Sequence, residues 1–295
     1  MNSKINFSII MPVYNEEKAI KDVLEKLKTY LEGKEYQTEI IVVNDGSTDQ
    51  TKKILKEIKG IKLINHPYNK GYGAAIKTGV KNAKYDWILW YDSDGQHQSK
   101  YIEKLIKYRK EYDMIVGARQ GYQGPIIRQP GKKLIKHLAQ YIIKHKIPDL
   151  NSGFRLIKKS KFEKFVHLFP NGFSISTTIT LAFFKQGFNV KYIPITIKKR
   201  RGKSYVALSD GFKSIMLIFR MIILFSPLRV FLPVSGSIFA LGLLSLSLDI
   251  FLFSKQGRPN IGDTTMLFFV FSLFFFFFGL IADQISAIRR ELKIK

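Results

Sequence analysis

The sequence predicts an α/β domain built on a mainly parallel sheet, followed by a pair of membrane-spanning helices. Three observations predict it. Short apolar runs alternate with segments of helical period through the amino-terminal two-thirds of the chain, the pattern of repeated strand–helix units. Each run stops at a polar, acidic or glycine-bearing turn, and open α/β sheets bind their ligands at such strand ends. Beyond residue 229 come two long runs almost free of charge, each meeting the need of a bilayer core for about 20 apolar residues in a helix.

Composition narrows the field. The 295 residues suffice for one large domain plus an appendage. A formal net charge of +25 points to acidic partners: nucleic acid, anionic lipid or phosphorylated substrates. The absence of cysteine excludes disulfides, thiol catalysis and cysteine-based metal sites. The five histidines form no close pair at metal-ligand spacing. The opening MNSKINFSIIMPVYNEE has a short apolar run followed at once by polar and acidic residues, and is not expected to be a signal peptide.

Taken in order, Phe7 to Val13 is a strand ending in Tyr14-Asn15-Glu16-Glu17, and Ile20, Val23, Leu24, Leu27 and Leu31 mark a helix. Glu39 to Val43 is a second strand, ending in Asn44-Asp45-Gly46-Ser47-Thr48-Asp49; Thr51, Ile54, Leu55 and Ile58 mark the next helix. Lys62 to Asn65 is a third strand, Asn69-Lys70-Gly71-Tyr72-Gly73 a turn, and Ala74 to Ala83 a helix. Trp87 to Tyr91 is a buried strand that stops at Asp92-Ser93-Asp94-Gly95-Gln96-His97. Asp113 to Gly117 is another strand, with Ala118-Arg119 after it. A polar loop, Asp149 to Arg155, precedes Leu156-Ile157; Phe173-Ser174-Ile175-Ser176-Thr177-Thr178 opens a helix; Asn189 to Ile197 is the final strand.

Two basic stretches differ in kind. From Pro130 to Lys146, Leu134, Leu138, Tyr141 and Ile142 share one face among lysines, which fits a helix lying on a membrane surface and equally one packed on the sheet. Lys198 to Ser204 is the densest positive run, and the amphipathic stretch Tyr205 to Ser226 after it is a second candidate interfacial helix. The spans are expected at about 230–253, with the single charge Asp249, and 264–282, with none, joined by a short connection into a hairpin. Arg289, Arg290, Lys293 and Lys295 follow, against only Lys255 and Arg258 in the connection. The positive-inside rule therefore puts both termini in the cytoplasm. The expected divisions are a catalytic domain over 1–203, a juxtamembrane helix over 204–228, the hairpin over 229–283 and a basic tail over 284–295.

Asp92 and Asp94, one residue apart at a strand end, can serve one hard cation that keeps places open for water and phosphate, as Mg²⁺ does. A solvated acidic turn is the alternative. A calcium loop of EF-hand type is excluded, because its sixth position needs glycine and here holds His97.

The motifs PVYNEE (Pro12 to Glu17), VVNDGSTD (Val42 to Asp49), NKGYGAA (Asn69 to Ala75), DSDGQH (Asp92 to His97), NSGFR (Asn151 to Arg155) and RRGKS (Arg200 to Ser204) stand in order along the chain. Together they resemble the family-2 glycosyltransferases of GT-A fold, and among them the polyprenyl-phosphate glycosyltransferases. The resemblance covers nearly the whole chain, including the two-span tail. It implies a Rossmann-like GT-A domain and a metal-dependent enzyme of the hexosyltransferase class. Pro12, Tyr14, Glu16, Asp45 and Lys70, with Asp92, are then expected at the nucleotide, and Asp92, Asp94 and Gln96 at a Mg²⁺ or Mn²⁺ ion and the diphosphate.

An inverting transferase acting on a hydroxyl needs a general base. In family-2 enzymes with such acceptors, a carboxylate commonly opens the helix that here begins FSISTTIT, where no carboxylate stands. A phosphate monoester is already an oxyanion and needs cations instead. Arg119, Arg128, Lys132, Arg200, Arg201 and Lys203 are the candidates for holding it, with Arg119 also counted among the catalytic residues. Asp149 is expected to orient a cation, contact sugar or cap its loop, and Ser176 has no assigned role.

The expected activity is therefore transfer of a sugar from a nucleotide-diphosphate sugar to a polyprenyl phosphate at a membrane. A hydroxyl-acceptor transferase and a basic membrane-tethered binding protein without turnover are the competing readings. Membrane lipid is an expected partner and nucleic acid is not, since no motif that reads it is present. The sequence leaves open the sugar, the base and whether the protein forms a homo-oligomer.

Overall fold

The computed structural model describes residues 5–121, 143–172, 174–198, 226–256 and 261–291, with isolated positions at 133–141 and 216–223. It divides into two units, Met1–Phe212 and Lys213–Lys295.

The first unit holds a sheet of seven strands: β1 (Ile5–Val13), β2 (Tyr36–Asn44), β3 (Lys62–Asn65), β4 (Trp87–Trp90), β5 (Met114–Arg119), β6 (Arg155–Lys158) and β7 (Val190–Ile195), in the order β3-β2-β1-β4-β6-β5-β7. Every pairing is parallel except those of β6, which runs antiparallel to both neighbours. β1 and β2 pair along their full length, Ile5 opposite Tyr36 through Val13 opposite Asn44. All of Phe7 to Val13 is buried, as expected of a central parallel strand covered on both faces.

Helices α1 (Ile20–Leu31), α2 (Thr51–Glu57), α3 (Tyr72–Lys81) and α4 (Tyr101–Ile106) connect the strands, and α5 (Lys159–Glu163) and α6 (Ile175–Lys185) follow β6. Ile20, Val23, Leu24 and Leu27 of α1 recur at helical spacing and are buried, joining Ile9, Met11, Val42 and Leu89 of the sheet in the main core. On α3, Gly79 lets the helix close on the sheet: a Cβ there would strike the side chain of Ile10.

The reversed direction of β6 brings a further loop to the strand ends. Arg155, its first residue, pairs with Trp90 and Val116. The loop that enters β6 therefore lies at the carboxyl ends of β4 and β5, beside the turns that leave the parallel strands.

The second unit is a helical hairpin of α7 (Leu228–Gln256) and α8 (Asp263–Glu291). Each has 29 residues, roughly 44 Å at about 1.5 Å per residue, against a hydrocarbon core of about 30 Å. Their most apolar stretches are only 11% and 22% buried, so they do not pack as core helices of a soluble domain would. Small and polar residues hold the pair together. Ser235 Oγ donates to the Ser272 carbonyl at 2.9 Å, and Ser272 Oγ donates to the Ser235 carbonyl at 3.1 Å. Asp249 accepts from the Gly262 amide at 2.9 Å and the Thr265 hydroxyl at 2.7 Å. Gly279 faces Phe231 so closely that a Cβ would lie 2.7 Å from the phenylalanine Cβ.

The candidate interfacial helix at 204–228 lies mostly outside the described residues and the one at 130–146 lies partly outside them; Lys136, His137, Met216 and Arg220 within them are helical.

Candidate active site

Parallel strands with short exit turns bring four segments to one edge of the sheet. The turns after β1 and β2 are joined residue by residue. Asn15 takes a left-handed conformation (φ +53°), which asparagine tolerates better than most residues. Its amide donates to Ser47 Oγ at 3.0 Å, and its side-chain oxygen accepts from the Thr48 amide at 2.8 Å. The Glu16 amide donates to Thr51 Oγ1 at 2.9 Å, and the Gln50 amide donates to Glu17 Oε2 at 3.0 Å. Tyr14 is exposed, Glu16 half-buried and Pro12 buried. The Pro12 carbonyl accepts from Ser93 Oγ at 3.0 Å, tying the turn after β4 to the end of β1.

Asp45 does not cap a helix: α2 begins at Thr51, with Gln50 as its cap residue. The Asp45 carboxylate, 3% exposed, grips the next turn instead. Oδ1 accepts from the Lys70 amide at 2.9 Å and lies 2.6 Å from His66 Nδ1; Oδ2 accepts from the Gly71 amide at 2.8 Å. Gly46 (φ +71°) permits the approach, because a Cβ there would overlap the backbone of Tyr68 and Asn69. Lys70 thus meets Asp45 through its backbone, while its ammonium lies over the Tyr68 ring at 5.6 Å.

Asp92 stands at the end of β4, its side chain 24% exposed. The Tyr72 hydroxyl donates to Oδ1 at 2.8 Å, and His97 Nε2 lies 3.2 Å from Oδ2. Gly153, in the loop entering β6, sits so close that a Cβ would collide with the carboxylate. Burial pushes the Asp92 carboxyl up, but the hydrogen bond and charge of His97, the Tyr72 hydroxyl and the Arg119 charge outweigh it and hold the group below its ordinary value. The Tyr72 phenol is pushed well above its own, first by burial and then by the Asp92 charge, so it acts as a donor. Asp94 accepts from the Gln96 amide at 3.0 Å, in a turn made by Gly95 (φ +73°). The Gln96 side chain donates to the Lys198 carbonyl at 3.4 Å.

Arg119 ends β5 and is clamped by Asp149: Nε to Oδ2 at 2.6 Å and Nη2 to Oδ1 at 2.9 Å. Burial raises the Asp149 carboxyl, and this two-point contact with the guanidinium more than reverses it, leaving the group below its ordinary value. The contacts of Asp149 are those of a residue that orients an arginine and caps its own loop, since Oδ1 also accepts from the Asn151 amide at 3.1 Å. Arg128, Lys132, Arg200, Arg201 and Lys203 lie outside the described residues.

Sequence reasoning gives Arg155 no role beyond its place in the NSGFR motif, yet it is fully buried at the centre of this edge. Its Nε donates to the Ser152 carbonyl at 3.0 Å and its Nη1 to the Ser176 carbonyl and Thr180 Oγ1, both at 3.2 Å, with Trp90 5.3 Å from the guanidinium. It ties the loop carrying Gly153 to the first turns of α6. Ser176, buried, takes part through its carbonyl, and Thr177 Oγ1 donates to Asn151 Oδ1 at 2.7 Å.

Asp92 and Asp94 fit a divalent ion of the Mg²⁺ or Mn²⁺ kind in their chemistry: hard oxygens on one turn, with the Asp92 carboxylate kept ionised and partly open. Among the described residues no group of three His, Asp or Glu gathers to cage an ion. An ion held by Asp92 and Asp94 would therefore need phosphates and water to complete its shell.

A family model described as Glycosyl transferase family 2 matches residues 8–166, and one described as the GtrB C-terminal hairpin matches residues 226–288. An uncharacterized protein of Methanocaldococcus jannaschii is 31% identical over 211 residues, covering 66% of this chain and 84% of that one. A dolichyl-phosphate beta-glucosyltransferase of Trichomonas vaginalis is 33% identical over 178 residues, covering 53% of this chain and 54% of that one, so the chain spans about half of that relative's length. A UDP-N-acetylglucosamine–dolichyl-phosphate N-acetylglucosaminyltransferase of Methanococcus voltae is 32% identical over 180 residues, covering 52% and 69%. Among solved structures, glucosyl-3-phosphoglycerate synthase from Mycobacterium tuberculosis, crystallised with Mn²⁺, UDP and phosphoglyceric acid, matches with a TM-score of 0.59 at 16% identity, over 75% of this chain and 78% of that one. That likeness is one of fold.

Proposed function

The chain belongs to glycosyl transferase family 2, with a GT-A domain and a carboxyl-terminal hairpin, and from that premise we propose that it transfers one sugar from a nucleotide-diphosphate sugar to a polyprenyl phosphate, inverting the anomeric carbon at the cytoplasmic face of a membrane. The main support is the joining, in one chain, of a two-carboxylate strand-end site to a hairpin of this type. Relatives named as dolichyl-phosphate transferases support the acceptor class.

In this reading Asp92 and Asp94, with Gln96 on the same turn, hold Mg²⁺ or Mn²⁺. The bound ion supplies Lewis-acid stabilisation to the departing diphosphate. Pro12, Tyr14 and Glu16 line the nucleotide pocket. Asp45 shapes that pocket by fixing the turn that bears Lys70, since its carboxylate is enclosed by donors. An acceptor phosphate oxygen attacks the anomeric carbon as the bond to the diphosphate oxygen breaks, and no proton has to be removed. Consistent with that, α6 opens with Ser174, Ser176, Thr177 and Thr178, hydroxyl groups where a hydroxyl acceptor would call for a carboxylate base. Arg119, oriented by Asp149, provides positive charge for the acceptor, joined by Arg128, Lys132, Arg200, Arg201 and Lys203.

Membranes containing the protein, given radiolabelled nucleotide sugars, test the proposal. Label is expected in an organic-extractable product that mild acid cleaves. A lipid product stable to mild acid would favour a hydroxyl acceptor and overturn the reading.

A further inference from the structure

The imidazole of His66 is buried and lies between the turn after β2 and α3. It follows β3, is 8% exposed, and has a partner on each ring nitrogen. Nδ1 lies 2.6 Å from Asp45 Oδ1, and Nε2 lies 2.9 Å from Thr78 Oγ1. A carboxylate oxygen accepts, so Nδ1 carries a proton toward Asp45, and Nε2 pairs with the Thr78 hydroxyl. Both partners bear on the same structure. Asp45 holds the amides of Lys70 and Gly71, the two residues before α3. Thr78 is on α3 itself, whose first residue is Tyr72. The Tyr72 hydroxyl bonds Asp92.

The other side of this helix start is set by backbone. Gly71 (φ +101°) approaches the Asn171 carbonyl so closely that a Cβ would lie 2.5 Å from it, and the Ala74 amide donates to that carbonyl at 3.0 Å. Tyr72 thus enters α3 between a fixed loop on one side and the Asp45–His66–Thr78 bridge on the other.

We propose that His66 is a positioning residue for the diphosphate–metal site: a rigid spacer between Asp45 and α3 that sets where the Tyr72 hydroxyl meets the Asp92 carboxylate. This rests on the reading of Asp92 as a ligand of the metal–diphosphate group. The planar ring places its two nitrogens on opposite partners at a fixed separation. Asparagine can replace only the bond to Asp45, and glutamine only the reach toward Thr78. Loss of the ring frees the first turn of α3 to shift, and one oxygen of Asp92 loses its fixed donor.

A double-mutant cycle on the full-length protein tests this, with His66→Ala, Tyr72→Phe and the pair. The first readout is Mn²⁺ binding in the presence of UDP or GDP, without acceptor, followed by fluorescence quenching of Trp87 and Trp90, the two tryptophans of the chain, both on the strand that ends at Asp92. The second is kcat for sugar transfer. His66→Ala is expected to weaken Mn²⁺ binding and lower kcat by roughly ten-fold each, and to add little once Tyr72 is phenylalanine, because contacting residues of one network are non-additive. His66→Asn should recover part of the loss, and Thr78→Val should show a smaller loss in the same direction. If His66→Ala does not fold, His66→Asn and Thr78→Val enter the same cycle. Equal losses in both Tyr72 backgrounds, or a lowered Tm with wild-type Mn²⁺ binding and kcat, would overturn the proposal. Asp94→Asn is the control for the underlying site: if it leaves Mn²⁺ binding unchanged, the metal–diphosphate reading is wrong and the role of His66 falls with it.

Discussion

At the scale of single residues, the proposed site combines a few side chains assigned to substrate with a larger number that hold them. Asp94→Asn keeps the shape of its turn and removes a charge, so the protein should fold normally, need more Mn²⁺ and lose most of its transfer activity; circular dichroism and a metal titration check both halves. Gly153→Ala adds one carbon against the Asp92 carboxylate, which Tyr72 and His97 hold in place. A shift of about 1 Å in a reacting group can cost on the order of 10²-fold, and kcat should fall by that order while thermal stability changes little. The Asp149–Arg119 pair adds a pH effect. Because the folded-state value of Asp149 is depressed, its contribution is present above the unfolded carboxylate value near about 4 and is lost as pH falls through the lower folded value. Hydrogen bonds to charged groups are worth about 1.5–3 kcal/mol, so acid titration of Asp149→Asn should show a flatter loss of stability below about pH 4 than wild type. The motif residues were legible from type and place: Asp92 and Asp94 follow an apolar run. Their supports were not. Tyr72 stands in a turn motif and His66 is one of five scattered histidines; only the fold places them within reach of Asp92 and Asp45.

At the scale of elements, the parallel strands were legible because apolar runs, turns and helical periods repeat in step. The direction of β6 was not. Four residues carry no periodicity that distinguishes parallel from antiparallel, and that reversal delivers Gly153 and Arg155 to the strand ends. Nor could the pattern show that the turns after β1 and β2 interlock, since the Asn15–Ser47 and Asn15–Thr48 bonds join residues brought together by full-length strand pairing. In the hairpin, the spans were legible from length and charge, whereas the two-way bond between Ser235 and Ser272 emerges only when the helices meet. Gly279→Leu should push α8 away from Phe231, lowering the yield of folded protein extracted from membranes, while Gly236→Leu, at a glycine with open space around it, should not. Extraction yield of the two variants side by side checks this.

At the scale of the whole molecule, the proposed function asks a strongly basic chain to bring a soluble donor and a membrane-borne acceptor to one protein. The proposed orientation follows from the bias of charge around the two apolar helices, with Arg289 and Arg290 at the end of the second. Reporter fusions at the carboxyl terminus should read cytoplasmic and a tag between Lys255 and Gly262 external; a carboxyl terminus outside would overturn the hairpin orientation. The nature of the acceptor is the point on which the function turns, and it separates a phosphate oxyanion, which attacks without a base, from a hydroxyl, which needs one. The most direct measurement therefore offers purified protein, Mn²⁺ and a panel of labelled nucleotide sugars either a polyprenyl phosphate or the polyprenyl alcohol of the same length. Transfer to the phosphate alone, abolished by chelator, is the expected result. Transfer to the alcohol, or full transfer to the phosphate in excess chelator, would contradict it.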